Sequence, residues 1–335
     1  MPTTLPATMQ VVQLTEIGRP PQVVQKPLPT LGDTDVLVKI AAAPINPSDL
    51  MFLQGRYGLR KPLPVAPGFE GSGTIVAVGK AWWLRPYLGQ RVACGTPDDG
   101  DGTWAEYMRT PAMRCIPLQP NVSLAQGAML IVNPLTAWGL VELARTGRHA
   151  AAIQTAAASS LGLMIVRHAR RMGLPLINIV RRAEQVAILQ AEGATYILNS
   201  SEPDFTHRLA DLSRQLKATI AFDAVGGDLT GTLLTGMPNG SRVVVYGALA
   251  GDLVQVNPAE LIFRQQRVEG FWLSEWFRAK SLPRLLQIGS RVQSMLHADF
   301  RSTVQATYPL SRVNAALAHY QRQMSAGKVL LVPDA

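Results

Sequence analysis

From Ala150 onward the hydrophobic positions of the chain switch between two periods. Ala150 to Gln154 is an unbroken run of small uncharged residues, the pattern of a strand covered on both faces. Small residues continue to Ser160. Leu161, Met164, Ile165, His168, Ala169 and Met172 then recur at helical spacing, with Arg167, Arg170 and Arg171 on the opposite face. Gly173 and Pro175 stop the helix, and Leu176-Ile-Asn-Ile-Val reads as a second strand. This is a βαβ unit whose loop would meet a phosphate at the helix N-terminus. The alternation persists through a helix over Glu184–Glu192 and a strand over Thr195–Leu198, then a helix over Phe205–Leu216 and a strand over Thr219–Ala224. A helix over Leu229–Met237, a strand over Arg242–Tyr246 and a last strand over Val268–Leu273 complete it. The succession predicts an α/β fold built on a doubly wound parallel sheet.

Before Ala150 the pattern is different. Val36-Leu-Val-Lys-Ile-Ala and Gly73-Thr-Ile-Val-Ala-Val-Gly alternate as strands do, with further short strands around Arg91-Val-Ala-Cys-Gly and Thr103-Trp-Ala-Glu-Tyr-Met. Ala43 to Asp49 and Lys61 to Gly68 are proline-rich and read as loops, and a helical stretch is expected near Leu124–Ile131. After Leu273 come a helix near Leu282–Met295, a strand near Val304, a helix over Arg312–Met324 and a strand over Val329–Val332, which are expected to return to the first domain. The expected division is therefore 1–128 with 276–335, and 129–275.

Composition narrows the function. At 335 residues two domains are the natural count. No stretch reads as a 20-residue apolar helix, so no membrane span is expected. Met1 to Gln10 lacks a basic-then-apolar pattern, and a cytoplasmic location is expected. Cys94 and Cys115 are the only cysteines, too few for a zinc framework or a disulfide scaffold. The net charge of +9 suits anionic small molecules, an acidic partner or nucleic acid. The basic residues are dispersed and not interleaved with aromatics, which argues against nucleic acid.

The loop after Gln154 is a degenerate glycine fingerprint. Aligned on G-x-G-x-x-G it reads Ala157-x-Ser159-x-x-Gly162, which an ordinary βα turn could also show. Sites for NAD place a carboxylate about 20 residues on, to hold the ribose hydroxyls. Here Arg181 and Arg182 stand at the end of the second strand, where a carboxylate would repel a 2′-phosphate and guanidinium forks would bind one. The expected cofactor is NADP(H); two solvated arginines after a strand are the plain alternative.

The chain resembles the medium-chain dehydrogenase/reductase superfamily over nearly its whole length. The matching pieces are Ala43-Pro-Ile-Asn-Pro-Ser-Asp49, Pro67-Gly-Phe-Glu-Gly-Ser-Gly73, Val132-Asn-Pro-Leu-Thr-Ala137, the nucleotide loop, Asp223-Ala-Val-Gly-Gly227, Tyr246-Gly247 and Gly327-Lys328-Val-Leu-Leu. The resemblance implies a GroES-like substrate domain beside a Rossmann domain, with the active site in the cleft. The zinc enzymes of the superfamily need a Cys near Asn46 and a His at the position of Phe69, and the five histidines do not cluster, so the expectation is a zinc-free branch with no metal ligands. Gln54-Gly-Arg-Tyr-Gly58, Ile177-Asn-Ile-Val-Arg181, Leu261-Ile-Phe and Gly270-Phe-Trp-Leu-Ser-Glu-Trp276 resemble the mitochondrial-type trans-2-enoyl thioester reductases.

That resemblance implies Tyr57 as proton donor, with Asn46 at the nicotinamide ribose or the substrate carbonyl. It implies cofactor contacts at Asn133, at Ala158, Ser159, Ser160 and Leu161, at Arg181 and Arg182, at Tyr246, Gly247, Ala248 and Leu249, at Phe271, Trp272 and Leu273, and at Lys328. Phe52, Phe69, Trp276 and Phe277 are candidates for an acyl pocket. The expected reaction is NADPH-dependent reduction of the conjugated double bond of a small-molecule enone or 2-enoyl thioester, the acyl group carried on coenzyme A, on an acyl carrier protein or on neither. NADPH:quinone reduction is the second reading, and a nucleotide-regulated RNA-binding or structural protein the third. A homodimer paired through the edge strand Val268–Leu273 is expected.

Overall fold

The computed structural model describes residues 5–251 and 253–334; part of the N-terminal stretch read above, Met1 to Thr4, lies outside them. The chain divides into two compact units. One comprises residues 1–132, 286–296 and 302–335, the other residues 133–285 and 297–301.

In the first unit β1 (Thr8–Gln13) and β2 (Gln22–Pro27) pair antiparallel as a two-stranded sheet. They are followed by β3 (Asp35–Pro44), α1 (Pro47–Leu53), β4 (Glu70–Val78), β5 (Arg91–Gly95), β6 (Tyr107–Pro111), β7 (Cys115–Pro117) and α2 (Leu124–Gly127). Within Val36–Ala41 only Lys39 is exposed, because β3 is covered on both faces, and the strand runs beside β4 so closely that a Cβ on Gly73 would meet the Lys39 carbonyl at 2.0 Å. Only glycine allows that approach. The helix expected over Leu124–Ile131 is a single turn, stopped at Gly127, with Ser123 capping it.

Helix α3 (Val132–Thr146) leads into the second unit, and the sequence reading did not anticipate it. It carries Pro134 in its first turn and Gly139 in its interior, both poor helix formers, and ten of its fifteen residues are buried, so no polar face marks the period. Then come β8 (Ala151–Gln154), α4 (Ser160–Arg171), β9 (Leu176–Val180), α5 (Glu184–Ala191), β10 (Tyr196–Asn199), α6 (Phe205–Leu216), β11 (Ala218–Asp223), α7 (Asp228–Gly236), β12 (Arg242–Val245), α8 (Pro258–Ile262), β13 (Arg267–Gly270) and α9 (Leu273–Arg278). Among the described residues the six strands form one parallel sheet in the order β10-β9-β8-β11-β12-β13. That is the doubly wound order in which the chain reverses direction across β8 and β11. The expected last strand over Val268–Leu273 is shorter. It ends at Gly270, and Leu273 instead begins α9, a helix with Glu275 in its first turn and Arg278 in its last.

The chain returns through α10 (Leu282–Ser294), β14 (Val304–Pro309), α11 (Val313–Arg322) and β15 (Lys328–Val332). Strand β15 lies antiparallel on β3 and β14 parallel on β15, giving the order β14-β15-β3-β4-β5-β7 with β6 also on β3. The first unit's core gathers Val36, Val38, Ile40, Ile45, Phe52, Trp104, Met108 and Val329; the second's gathers Ile153, Ile177, Ile179, Phe205, Leu233 and Val243.

Candidate functional site

In the first unit the segments Ala43–Asp49 and Pro67–Gly73 meet the C-terminal strand at a buried polar cluster. Asn46 precedes α1 with extended backbone, and Pro47 starts the helix, where its missing N–H costs nothing. The Asp49 carboxylate turns back to accept the Asn46 N–H at 2.7 Å and, with its other oxygen, the Phe69 N–H at 3.1 Å. The Asn46 carboxamide is held at both ends: its nitrogen donates to Glu70 Oε1 at 3.0 Å, and its oxygen accepts from the Lys328 ammonium. Glu70 Oε2 accepts the N–H groups of Ile131 (3.0 Å) and Val132 (2.8 Å), where α3 begins.

All four side chains are out of water. Asn46 and Asp49 are 0% exposed, Glu70 1% and Lys328 2%. Two carboxylates share one ammonium, so the cluster carries one negative charge more than its counter-ion balances. Burial pushes Asp49 up to about 7, with Glu70 adding to the push; burial likewise raises Glu70 and lowers Lys328. A carboxylate that accepts only backbone N–H groups prefers to be ionised, yet here desolvation outweighs those bonds. Burial thus works against the charged form of both carboxylates.

Tyr57 follows α1 after the turn at Gly55 (φ +70) and is partly buried against the first unit's core. Its ring lies 4.6 Å from that of Phe69, and Phe69 meets Phe52 edge-on at 5.6 Å. Tyr57 is therefore tied to the cluster through Phe69, the residue whose N–H binds Asp49.

The second unit supplies the other set of sequence candidates at the carboxyl ends of its strands. After β8 the loop turns through Ala156 in the left-handed region (φ +49), and Ser159 caps α4, its hydroxyl accepting the Gly162 N–H at 3.0 Å. A Cβ at Gly162 would lie 2.4 Å from the Ala157 carbonyl, which explains why this glycine alone of the fingerprint is present. Ala158 is buried, while Ser159, Ser160 and Leu161 are half-exposed.

Arg181 and Arg182 follow β9, and both their N–H groups donate to Gln185 Oε1 at 3.1 Å. Their side chains are exposed, and Arg182 Nε meets Glu184 at 2.8 Å, a surface pair that water and salt loosen readily. Asp223 at the end of β11 organises its surroundings: Thr155 and Thr230 donate hydroxyls to it (2.8 and 2.7 Å), and the N–H groups of Val225 and Gly226 join them. Tyr246 follows β12, its N–H on the Asp223 carbonyl, and its buried hydroxyl has no partner among the described residues. Burial, with the Asp223 charge beside it, pushes that phenol well up. Gly247 passes within 2.8 Å of the Ala224 carbonyl as a Cβ would measure it; Leu249 donates its N–H to the same carbonyl and is exposed. Phe271 extends the β13 ladder onto the Val245 carbonyl, and its ring tip packs on Gly139 of α3, as does Trp276. Trp272 and Leu273 are half-exposed at the start of α9, and Trp272 lies 5.9 Å under the Arg278 guanidinium. Asn133 is buried near the start of α3.

A dinucleotide fits these features. The glycine at 162 leaves the backbone space that a side chain would fill, the Tyr246 hydroxyl is a buried polar atom without a partner, and the arginine pair stands at the end of β9. Asn46, expected at the nicotinamide ribose or the substrate carbonyl, and Lys328, expected at the cofactor, are interior groups bonded to each other. Asp49 and Glu70 were missed. Both lie inside the quoted motifs, and Glu70 sits in a charge-free run from Pro62 to Val78, which is the signal that it is buried. Among the described residues no three His, Cys, Asp or Glu side chains come together to hold a metal ion. Cys94 and Cys115 face each other across β5 and β7 as buried thiols, Cys115 pushed up to about 12. His168, on the apolar face of α4, is buried and stacked on Trp138 at 5.1 Å.

Comparisons with known proteins agree with this geometry. Residues 32–120 match the alcohol dehydrogenase GroES-like domain family, and residues 160–290 the zinc-binding dehydrogenase family. The mitochondrial enoyl-[acyl-carrier-protein] reductase of Rattus norvegicus is 32% identical over 77% of this chain and 71% of its own length. That of Homo sapiens is 31% identical over 81% and 74%. A Mesorhizobium loti crystal structure provisionally named an NADPH:quinone reductase superposes with a TM-score of 0.89 and 34% identity, covering 99% of this chain and 100% of its own. With its GroES-like unit, its doubly wound unit and these relatives, the chain belongs to the medium-chain dehydrogenase/reductase superfamily.

Proposed function

We propose that the chain is a zinc-independent, NADPH-dependent oxidoreductase that reduces the conjugated C=C of a 2-enoyl thioester or enone. The observation that carries it is the arginine pair at the end of β9, beside a loop that folds only with glycine at 162. Ala158, Ser159, Ser160 and Leu161 would line the pyrophosphate, and Arg181 and Arg182 the 2′-phosphate. Asn133, Tyr246 to Leu249 and Phe271 to Leu273 would meet the rest of the dinucleotide. When bound, the reduced nicotinamide supplies a hydride.

The chain's own part is to hold a proton for the α-carbon and to keep it in place. Phenols ordinarily titrate near pH 10, so a tyrosine enters such a step protonated and returns to that state from water. Tyr57 has its ring fixed against Phe69, which orients the hydroxyl without burying it in the core. At the positions where the zinc enzymes of the superfamily carry Cys and His, Asn46 and Phe69 offer no metal-binding group of that kind, which supports zinc independence.

The relatives named as enoyl-[acyl-carrier-protein] reductases support a thioester substrate on an acyl carrier protein or coenzyme A. Quinone reduction is the second reading, favoured by the Mesorhizobium loti likeness over the whole chain. A homodimer is part of the proposal: among the described residues β13 is the outer strand of the second unit's sheet, with one ladder edge unpaired. The test is a panel of crotonyl and decenoyl thioesters, enones and quinones with NADPH and NADH. Tyr57→Phe is expected to lower enoyl turnover at least a hundredfold and to leave any quinone turnover within threefold. Full enoyl turnover in that variant would remove the proposed acid.

A further inference from the structure

Lys328 is a lysine without a surface. Its ammonium is 2% exposed and donates to the Asn46 carboxamide oxygen, with Glu70 and Asp49 as the charges near it. A fully desolvated ammonium is retained in a core when the groups around it need its charge, and three of them do. Glu70 uses one oxygen on Asn46 and the other on the Ile131 and Val132 N–H groups. Asp49 grips the Asn46 and Phe69 N–H groups. Asn46, pinned between Lys328 and Glu70, sets the start of α1, and α1 leads through Gly55 to Tyr57. The Phe69 ring, whose backbone Asp49 holds, is also the surface on which the Tyr57 ring lies. Two routes therefore run from the Lys328 charge to Tyr57, one through Asn46 and α1 and one through Asp49 and Phe69.

We infer that Lys328 is a positioning residue for Tyr57, acting through Asn46, Asp49, Glu70 and Phe69. The inference rests on the reading of Tyr57 as the proton donor. Its physical content is that one buried ammonium offsets one of the two carboxylate charges that fix both ends of the Tyr57 segment. Without it the carboxylates repel each other or take up a proton, their hydrogen bonds to Asn46 and Phe69 loosen, and the phenol loses its place.

The experiment is a double-mutant cycle in the full chain with Lys328→Met, Tyr57→Phe and the pair, read by kcat and KM on a crotonyl thioester. NADPH affinity is read by nicotinamide fluorescence titration without substrate. The expected result is a fall in kcat of at least tenfold for Lys328→Met, with the NADPH Kd within threefold of the parent. Adding Lys328→Met to Tyr57→Phe should cost less than a further twofold, because a displaced phenol and an absent one are equivalent. A tenfold or larger rise in the NADPH Kd with kcat unchanged would overturn the inference in favour of a phosphate contact. Equal losses from Lys328→Met in both backgrounds would overturn it in favour of a structural role unconnected with Tyr57. Should Lys328→Met not fold, Lys328→Gln takes its place with the same expectations, since it removes the ammonium charge and keeps a group that can donate to Asn46. If Tyr57→Phe alone retains full turnover, the reading of the acid has failed rather than the positioning, and the same cycle shows which.

Discussion

The two charged regions of this molecule solve opposite problems. The cluster of Asn46, Asp49, Glu70 and Lys328 has every charge inside the protein, each held by hydrogen bonds already in place. The β9 end of the second unit leaves Arg181 and Arg182 at the surface, one of them in a loose pair with Glu184. A buried charge is expensive to strand, so the first region is fixed whether or not anything binds. An exposed guanidinium is cheap to re-pair, so the second region can give up its present contacts for a phosphate. In the proposed reaction rigidity would belong with the proton donor and exchangeability with the cofactor.

That contrast can be broken by removing single charges. Lys328→Met strands two carboxylates and is expected to cost about 3–5 kcal/mol of stability, measured by urea unfolding; a loss below about 1 kcal/mol would mean the cluster is not charge-balanced in this way. Replacing Arg181 and Arg182 together by Ala is expected to cost about 2–3 kcal/mol of NADPH affinity, from the charge-assisted bonds lost. NADH affinity and melting temperature should stay unchanged, and titration calorimetry of the two nucleotides would reveal an equal loss for both if the pair did not read the 2′-phosphate. Gly162→Ala forces a methyl group toward the Ala157 carbonyl and is expected to destabilise the second unit by about 1–3 kcal/mol; wild-type melting would contradict the close approach of loop and helix.

The smallest effect concerns pH. Asp49 has a folded-state pKa of about 7, above its ordinary value of 3.8. Its contribution to stability is thus fully present below about pH 4 and is lost as pH rises through 7. The melting temperature of the parent is expected to fall by at least about 2 °C between pH 5 and 8 relative to that of Asp49→Asn. Parallel pH profiles for the two proteins would show that Asp49 does not hold the proton.

The second unit was the more legible in the sequence, for a physical reason. Strands covered on both faces and amphipathic helices such as α4 and α6 leave strong periods, so their order could be read almost to the residue. Helix α3 was not legible because it is buried nearly all round, and α9 because six residues are too few to show a period. In the candidate site, Arg181 and Arg182 could be read because charge at a strand end is local information. The Lys328 partnership could not: Asn46 and Lys328 are 282 residues apart, and only the pairing of β15 with β3 brings them together. Asp49 and Glu70 were visible as residues and invisible as a cluster for the same reason.

The claim on which the rest depends is that the exposed arginine pair selects a phosphorylated reductant. Titration of the purified chain with NADPH and with NADH under one buffer tests it directly. NADPH binding at least tenfold tighter than NADH, reduced to parity when Arg181 and Arg182 are both Ala, is the predicted result; equal affinity in the parent chain, or tighter binding of NADH, would contradict it.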